Sequence, residues 1–296
     1  MKTTFRTFVT VFKFITPEYL RPLLPTRADD SHKGDYGHLL IVAGCRRMPG
    51  AALLATGAAL QSGCGLVTLH SVDRTLQAAV GNFPSAMLSE SPGEFVDTLP
   101  ERPERFSAIA AGPGLGTAPG TQDMLCGLIR TARELDIPMI LDADALNILA
   151  LRTELLDAIP VGSIMTPHPG ELRRLVCWKT EQEKEDAVLE LCRRTGCTVV
   201  VKGWHSRIYS PDGLCLENTT GNPGMAKGGS GDVLTGLVGG LLARGLRPLD
   251  AAALGVWIHG YAGDALTQAR TAEAYSSRDL VDALWQGFKA LAPSSR

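Results

Sequence analysis

Hydrophobic residues along this chain come in short runs that end in glycine or polar residues and give way to longer stretches at helical spacing. His38 to Ala43 (HLLIVA) is such a run, a buried strand by its length and continuity. Gly50 to Gln61 (GAALLATGAALQ) follows as a small-residue helix able to pack closely on a sheet. The pattern recurs at Leu66 to His70. Phe106 to Ala111 then runs into Gly112-Pro113-Gly114-Leu115-Gly116, and Pro138 to Leu141 into Asp142-Ala143-Asp144. Ser163 to Met165 runs into Thr166-Pro167-His168-Pro169-Gly170-Glu171, and Thr198 to Val201 into Lys202-Gly203. Strands that each lead into a helix predict a mostly parallel sheet with helices on both faces, an α/β fold that binds ligands at the carboxyl ends of its strands. Ser210-Pro211-Asp212-Gly213, between two short strand-like runs, predicts a hairpin over 206–218. Upstream, Thr16-Pro17-Glu18 reads as a helix start, with the helix ending near Pro25, and residues 1–15 read as an extension or flexible tail. No linker, low-complexity tract or repeat interrupts 16–296, so that span predicts one domain.

Charge and cysteine usage narrow the function classes. With 29 basic and 31 acidic residues the net charge is −2, so no strong field favours nucleic acid or an anionic membrane, and small molecules are the expected partners. No apolar run approaches the roughly 20 residues that span a bilayer. The cysteines are scattered, odd in number (seven) and lack any CxxC pair; even Cys192 and Cys197 read as reduced thiols of a cytoplasmic protein.

The candidate chemistry lies between 221 and 232. Gly221, Gly224, Gly228, Gly229 and Gly231 precede Val233, Leu234, Leu237, Val238, Leu241 and Leu242 at helical spacing, which places Asp232 in the first turn of a helix opened by glycines. A helix N-terminus presents unpaired N–H groups and partial positive charge, and glycine lets phosphate oxygens approach the backbone. A carboxylate beside that hole can orient and deprotonate a hydroxyl attacking a terminal phosphate, as phosphoryl transfer needs. The helix dipole is expected to lower the Asp232 pKa. No Gly-Lys-Ser/Thr follows, so this is not a Walker A loop. Among lesser candidates, Asp142 and Asp144 read either as paired carboxylates for a metal or as helix caps. His168, held between two prolines, belongs in a fixed loop at a strand end, and His259 in an apolar helix reads as a core or interface residue.

The stretch Asn222-Pro223-Gly224-Met225-Ala226-Lys227-Gly228-Gly229-Ser230-Gly231-Asp232-Val233-Leu234 resembles the signature of the ADP/ATP-dependent NAD(P)H-hydrate dehydratases, of the ribokinase-like superfamily. The likeness continues through Lys33-Gly34-Asp35-Tyr36-Gly37, Met48-Pro49-Gly50-Ala51-Ala52, Ala111 to Gly116, Leu141 to Leu146 and Thr166 to Glu171, six motifs in order. It implies a ribokinase-like α/β fold and a repair lyase. Such an enzyme phosphorylates the ring hydroxyl of the S epimer of hydrated NADH or NADPH with ADP or ATP and then eliminates phosphate. By the same resemblance Asp232 is the catalytic base, and Ala52, Gly114 and His168 line the hydrate site with it. Lys202, Gly203, Trp204, His205 and Ser206 contact the nucleotide, as do Gly228, Gly229, Ser230 and Gly231. Mg²⁺ accompanies the nucleotide, and Glu171 either holds it through water or serves only as a helix-opening acid favoured by the dipole. The resemblance further implies a homo-oligomer, a tetramer. It also implies a functional link to an NAD(P)H-hydrate epimerase, expected on a separate chain because only about 30 residues precede the first matching motif. Two departures stand out: Lys227 where a small hydroxyl residue is usual, and Ser206 where threonine is usual. Lys227 is left between a phosphate contact and solvent. The competing readings are a ribokinase-like kinase acting on a vitamin precursor or sugar alcohol, for which Asn is expected at His168, and a non-enzymatic nucleotide sensor, for which an intact Asp232 has no use.

Overall fold

In the computed structural model, which describes residues 11–293, the apolar runs become strands of one ten-stranded sheet. In chain order these are β1 (Val11–Phe14), β2 (His38–Val42), β3 (Leu66–Val72), β4 (Met87–Ser91), β5 (Ala108–Ala111), β6 (Met139–Leu141), β7 (Ile164–Met165), β8 (Thr198–Val201), β9 (Arg207–Tyr209) and β10 (Leu214–Glu217). Across the sheet the order is β1-β10-β9-β8-β7-β6-β5-β2-β3-β4, parallel except where β9 runs against β8 and β10. The helices are α1 (Pro17–Leu20), α2 (Pro49–Gln61), α3 (Asp73–Asn82), α4 (Pro119–Glu134), α5 (Asp144–Leu151), α6 (Pro169–Leu175), α7 (Glu181–Thr195), α8 (Ser230–Ala243), α9 (Pro248–Ala269) and α10 (Ser277–Leu291).

Strand alternation builds two cores. Leu39 and Ile41 of β2 and Ala108 and Ala110 of β5 face α2, α8, α9 and α10, whereas Leu40, Val42, Ile109 and Ala111 face α4, α5 and α7. Burial on both faces explains why these strands read as continuous apolar runs. The small residues of α2 pack on β2 and β3 as expected and serve a second partner as well. Its closest approach is to α8, where a Cβ on Gly236 would lie 1.9 Å from the Ala55 carbonyl oxygen, so the two backbones touch only because that position is glycine.

Three expectations change. Residues 11–14 of the expected extension form an edge strand parallel to β10, in register from Val11–Leu214 to Phe14–Glu217; residues 1–10 lie outside the described part. β4 was not anticipated, because its MLSES run is polar and largely exposed at the other edge. β8 leads straight into antiparallel β9 rather than into a helix, while the hairpin through Gly213 (φ 93°) forms as expected. Thr16 caps α1, its Oγ1 accepting from the Tyr19 N–H. Among the described residues no helix is long and apolar enough to cross a membrane.

The chain runs outward from β2 through β3 to β4, returns to place β5 on the other side of β2, and continues through β6, β7 and β8. Strand order therefore reverses between β2 and β5, the kind of point where open α/β sheets leave a crevice at their carboxyl ends.

Candidate functional site

Three adjacent parallel strands hand their next residues to one place. β6 is followed by Asp142, β7 by Thr166-Pro167-His168 and β8 by Lys202. Together with the first turn of α8 they border a cavity of about 720 Å³, whose walls include Asp142, His168, Lys202, Trp204, Gly231 and Asp232.

The α8 terminus is built to leave N–H groups of its first turn without side-chain caps, although that of Ser230 donates to the Lys227 carbonyl. Gly229 is its N-cap in the left-handed region (φ 93°), and no side chain caps the helix. A Cβ on Gly229 would lie 2.4 Å from Leu54 Cδ1, so both the conformation and the space call for glycine. The unpaired N–H groups of the first turn then make an anion site. Behind it, the buried Asp142 carboxylate accepts from Lys202 Nζ (2.5 Å) and from Thr235 Oγ1 (2.6 Å), joining β6, β8 and α8. Lys202 Nζ also lies 3.7 Å from Glu171 Oε2. The Cβ position of Gly231 lies 3.4 Å from Lys202 Nζ, which places the ammonium beside the anion site.

Asp232, third residue of α8, carries a pKa raised to about 6. Burial is the main cause and the Asp142 carboxylate the next; Lys202 opposes them, and Asp144 and Glu171 add to the rise. The expected lowering by the helix dipole is therefore overturned. A half-exposed helix-end carboxylate would follow the dipole, but here desolvation and three neighbouring carboxylates outweigh it. The result is a carboxylate still ionised at neutral pH and more basic than usual, which suits a general base.

Asp142 and Asp144 take up neither of the expected roles. The N-cap of α5 is Ala143, with no side-chain capping bond, and no group of three or more His, Cys, Asp or Glu side chains among the described residues is arranged to hold a metal ion. Ala143 instead adopts φ 47°, ψ −117°, a strained conformation for a residue with a Cβ. The two carboxylates thereby separate: Asp142 faces Lys202 and Thr235, while Asp144 Oδ2 accepts from the Gly116 N–H (2.8 Å) and tethers the β5–α4 turn.

His168 is the N-cap of α6. Its Nδ1 accepts from the Gly170 N–H (2.9 Å), and Glu171 Oε2 accepts in return from the His168 N–H (2.8 Å), a reciprocal capping box. With Nδ1 accepting, the ring proton sits on Nε2, which points to Glu171 Oε1 at 3.3 Å. Glu171 therefore spends both oxygens on His168 and one also on Lys202. It does not fit a direct metal ligand, and Mg²⁺ here would draw its donors from nucleotide phosphates and water.

Lys227 is engaged with the protein itself rather than turned to solvent. Its Nζ donates to the carbonyls of Ala272 (2.7 Å), Glu273 (3.4 Å) and Tyr275 (2.6 Å), and sits 4.0 Å over the Tyr275 ring. The ammonium thus staples the glycine loop to the α9–α10 connection. Ser277 Oγ, donating to the Gly228 carbonyl (2.7 Å), reinforces the same seam.

The structure brings Asp232, Ser230, Gly231, Lys202, Gly203, Trp204, Ser206, His168 and Glu171 to one cavity. Gly228, Gly229 and His205 support it without lining it. Ala52, in the first turn of α2, and Gly114, on the neighbouring β5–α4 loop, do not line that cavity. Ala52 is buried against Gly44, and Gly114 (φ 63°) is backed against the Met48 carbonyl. Missed from sequence were Asn218, Thr220, Asn222 and the second role of His259. That imidazole is buried, its pKa lowered to about 4 chiefly by burial, and its Nε2 donates to the Ser230 carbonyl at the head of α8 (3.0 Å). Only the spacing of His259 within an apolar helix hinted at this.

Comparison with known proteins agrees with the geometry. Residues 39–286 match the family model described as NAD(P)H-hydrate dehydratase. The chain is 40% identical over 248 residues to an ADP-dependent (S)-NAD(P)H-hydrate dehydratase of Neisseria meningitidis, covering 82% of this chain and 81% of that one. It is 38% identical over 283 residues to a bifunctional NAD(P)H-hydrate repair enzyme of Moorella thermoacetica, covering 92% of this chain but 53% of that protein, about half its length. Among solved structures, the ADP/ATP-dependent NAD(P)H-hydrate dehydratase from Bacillus subtilis, co-crystallised with ATP and Mg²⁺, superposes with a TM-score of 0.80 at 31% identity, covering 94% of this chain and 98% of that one. The parallel sheet wrapped on both faces is thus the ribokinase-like architecture that the motifs implied.

Proposed function

Because the chain belongs to the NAD(P)H-hydrate dehydratase family, we propose that it converts the S epimer of hydrated NADH or NADPH back to the reduced nucleotide, spending ADP or ATP. Asp232 carries the reading: a carboxylate with a pKa near 6 beside an uncapped helix N-terminus. Asp232 takes the proton from the ring hydroxyl as its oxygen attacks the terminal phosphorus of the nucleotide. The N–H groups of the α8 first turn and the Lys202 ammonium stabilise charge on the transferred phosphoryl group. The ring carbon–oxygen bond then breaks, the oxygen leaving with phosphate and a proton leaving the neighbouring carbon, so the overall reaction is that of a lyase. Phosphorylation serves to turn hydroxide into a good leaving group.

In this reading His168, Ala52 and Gly114 position the hydrate, and the segments 202–206 and 228–231 the nucleotide. Mg²⁺ is carried on the nucleotide phosphates. The proposed setting is a cytoplasmic homotetramer acting alongside an NAD(P)H-hydrate epimerase.

The test is to incubate the protein with chemically hydrated NADH and ADP or ATP and follow the absorbance of reduced nicotinamide. Recovery is expected with at least one nucleotide, and none with either refutes the proposal. Consumption of nucleotide with a stable phosphorylated product and no recovery would mark a small-molecule kinase instead.

A further inference from the structure

The loop leaving β8 carries an aromatic arrangement that phosphoryl transfer itself does not require. Trp204 is 73% exposed, the most exposed of the large hydrophobic residues among the described residues, yet it lies on the wall of the cavity. Its indole is nearly parallel to the His205 imidazole (19° between planes, centroids 5.5 Å apart), so one face is backed by a ring while the rest stays open. His205 is itself anchored, its Nδ1 meeting the Asn218 carbonyl at 3.2 Å. It also holds a left-handed backbone (φ 57°) that glycine would adopt more easily, in a turn that Ser206 Oγ closes on both the N–H and the carbonyl of Gly203. A strained non-glycine residue that braces an exposed ring at a cavity wall points to a ligand for that ring.

The two asparagines on these walls, Asn218 and Asn222, are already engaged. Asn218 Nδ2 donates to the Thr220 carbonyl and its Oδ1 accepts from Thr220 Oγ1. Asn222 Nδ2 donates to Asp264, and its Oδ1 accepts from the Gly224 N–H and from Thr267 and Tyr275 hydroxyls. A flat heterocycle entering here meets a stacking surface rather than free hydrogen-bonding side chains. The same loop begins at Lys202, whose ammonium sits against the anion site at Gly231. A nucleotide with its phosphates at the α8 terminus therefore has its base within reach of Trp204.

Resting on the dehydratase reading above, we propose that Trp204, braced by His205, is the platform on which the nucleobase of the phosphoryl-donor nucleotide stacks. Binding of ADP, ATP and pyrophosphate, which has no base, is to be measured calorimetrically for the wild type, Trp204→Ala and Trp204→Phe, with kcat and the KM for hydrated NADH. Loss of a base–aromatic stack weakens binding roughly 5- to 150-fold. Trp204→Ala is expected to show that loss for ADP and ATP and Trp204→Phe to recover most of it. Pyrophosphate affinity should stay unchanged in both, with the loss confined to the nucleotide rather than extending to the KM for the hydrate. Equal losses for ADP and pyrophosphate, unchanged ADP binding in Trp204→Ala, or a raised KM for the hydrate alone would each overturn the assignment while leaving the dehydratase reading intact. A wild type that binds neither ADP nor ATP would overturn that reading, and the platform with it.

Discussion

Replacing Asp232 by Asn is expected to stop turnover and, at neutral pH, to make the folded protein more stable. The carboxylate has a folded pKa of about 6 against an ordinary aspartate value of 3.8. Because the folded pKa is the higher one, folding is unpenalised below the unfolded value, and the penalty grows as pH rises and is complete above the folded value. The difference is about two pH units at about 1.36 kcal/mol each, so ionised Asp232 costs the native state about 3 kcal/mol at pH 8. At about pH 5 the same linkage leaves roughly half of that. Asparagine cannot ionise and carries none of this pH dependence, although its buried amide can lose roughly 1–3 kcal/mol for want of partners, a constant offset. The discriminating quantity is therefore the change in the stability difference with pH. Urea unfolding of both proteins across this range measures it. The Asn variant should gain on the wild type as pH rises from about 4 to about 6, with a slope approaching about 1.4 kcal/mol per unit. A difference independent of pH, or one that shrinks as pH rises, would refute the account of Asp232 as a carboxylate held in an unfavourable site for its basicity.

Two further expectations follow from the same network and from the seam beside it. The acid limb of kcat/KM should fall near pH 6 as Asp232 protonates, and Asp142→Asn should move that limb to lower pH, since it removes the strongest charge raising the Asp232 pKa and frees Lys202 to lower it; rates measured from about pH 5 to about pH 8 decide it, and an unmoved limb argues against that coupling. Lys227→Met keeps the length of the stem but leaves three carbonyls of the 272–275 segment without their donor. It should lower stability by about 1–3 kcal/mol and expose that segment to limited proteolysis, whereas an unchanged melting point and digestion pattern would mean the staple is idle.

Much of the strand pattern was legible because burial on both faces is written locally. A strand covered by helices on each side must be apolar at every position, as in HLLIVA and TVVV, and a turn such as Ser210-Pro211-Asp212-Gly213 carries its own dihedral preferences. The edges were not legible, since β1 and β4 owe their strand state to a neighbour's hydrogen bonds rather than to their own polar or mixed residues. The position of Asp232 at a helix start was also local, set by glycines before it and apolar periodicity after it. Its basicity was not, because Asp142 lies 90 residues earlier in the chain and acts only once β6 and α8 have been brought together. Lys227 shows the same division: its place beside the glycines was visible, but the carbonyls it binds come from 45 to 48 residues downstream.

The sequence by itself determined which segments are strands and helices in the interior and which turns carry polar residues at the strand ends. It also determined the residue types available for phosphate chemistry, because these follow from spacing, propensity and side-chain identity over a few residues. Tertiary structure alone decided which of those residues face one another. Desolvation, charge coupling and ring stacking depend on distances set by packing, and packing joins positions that the chain keeps far apart.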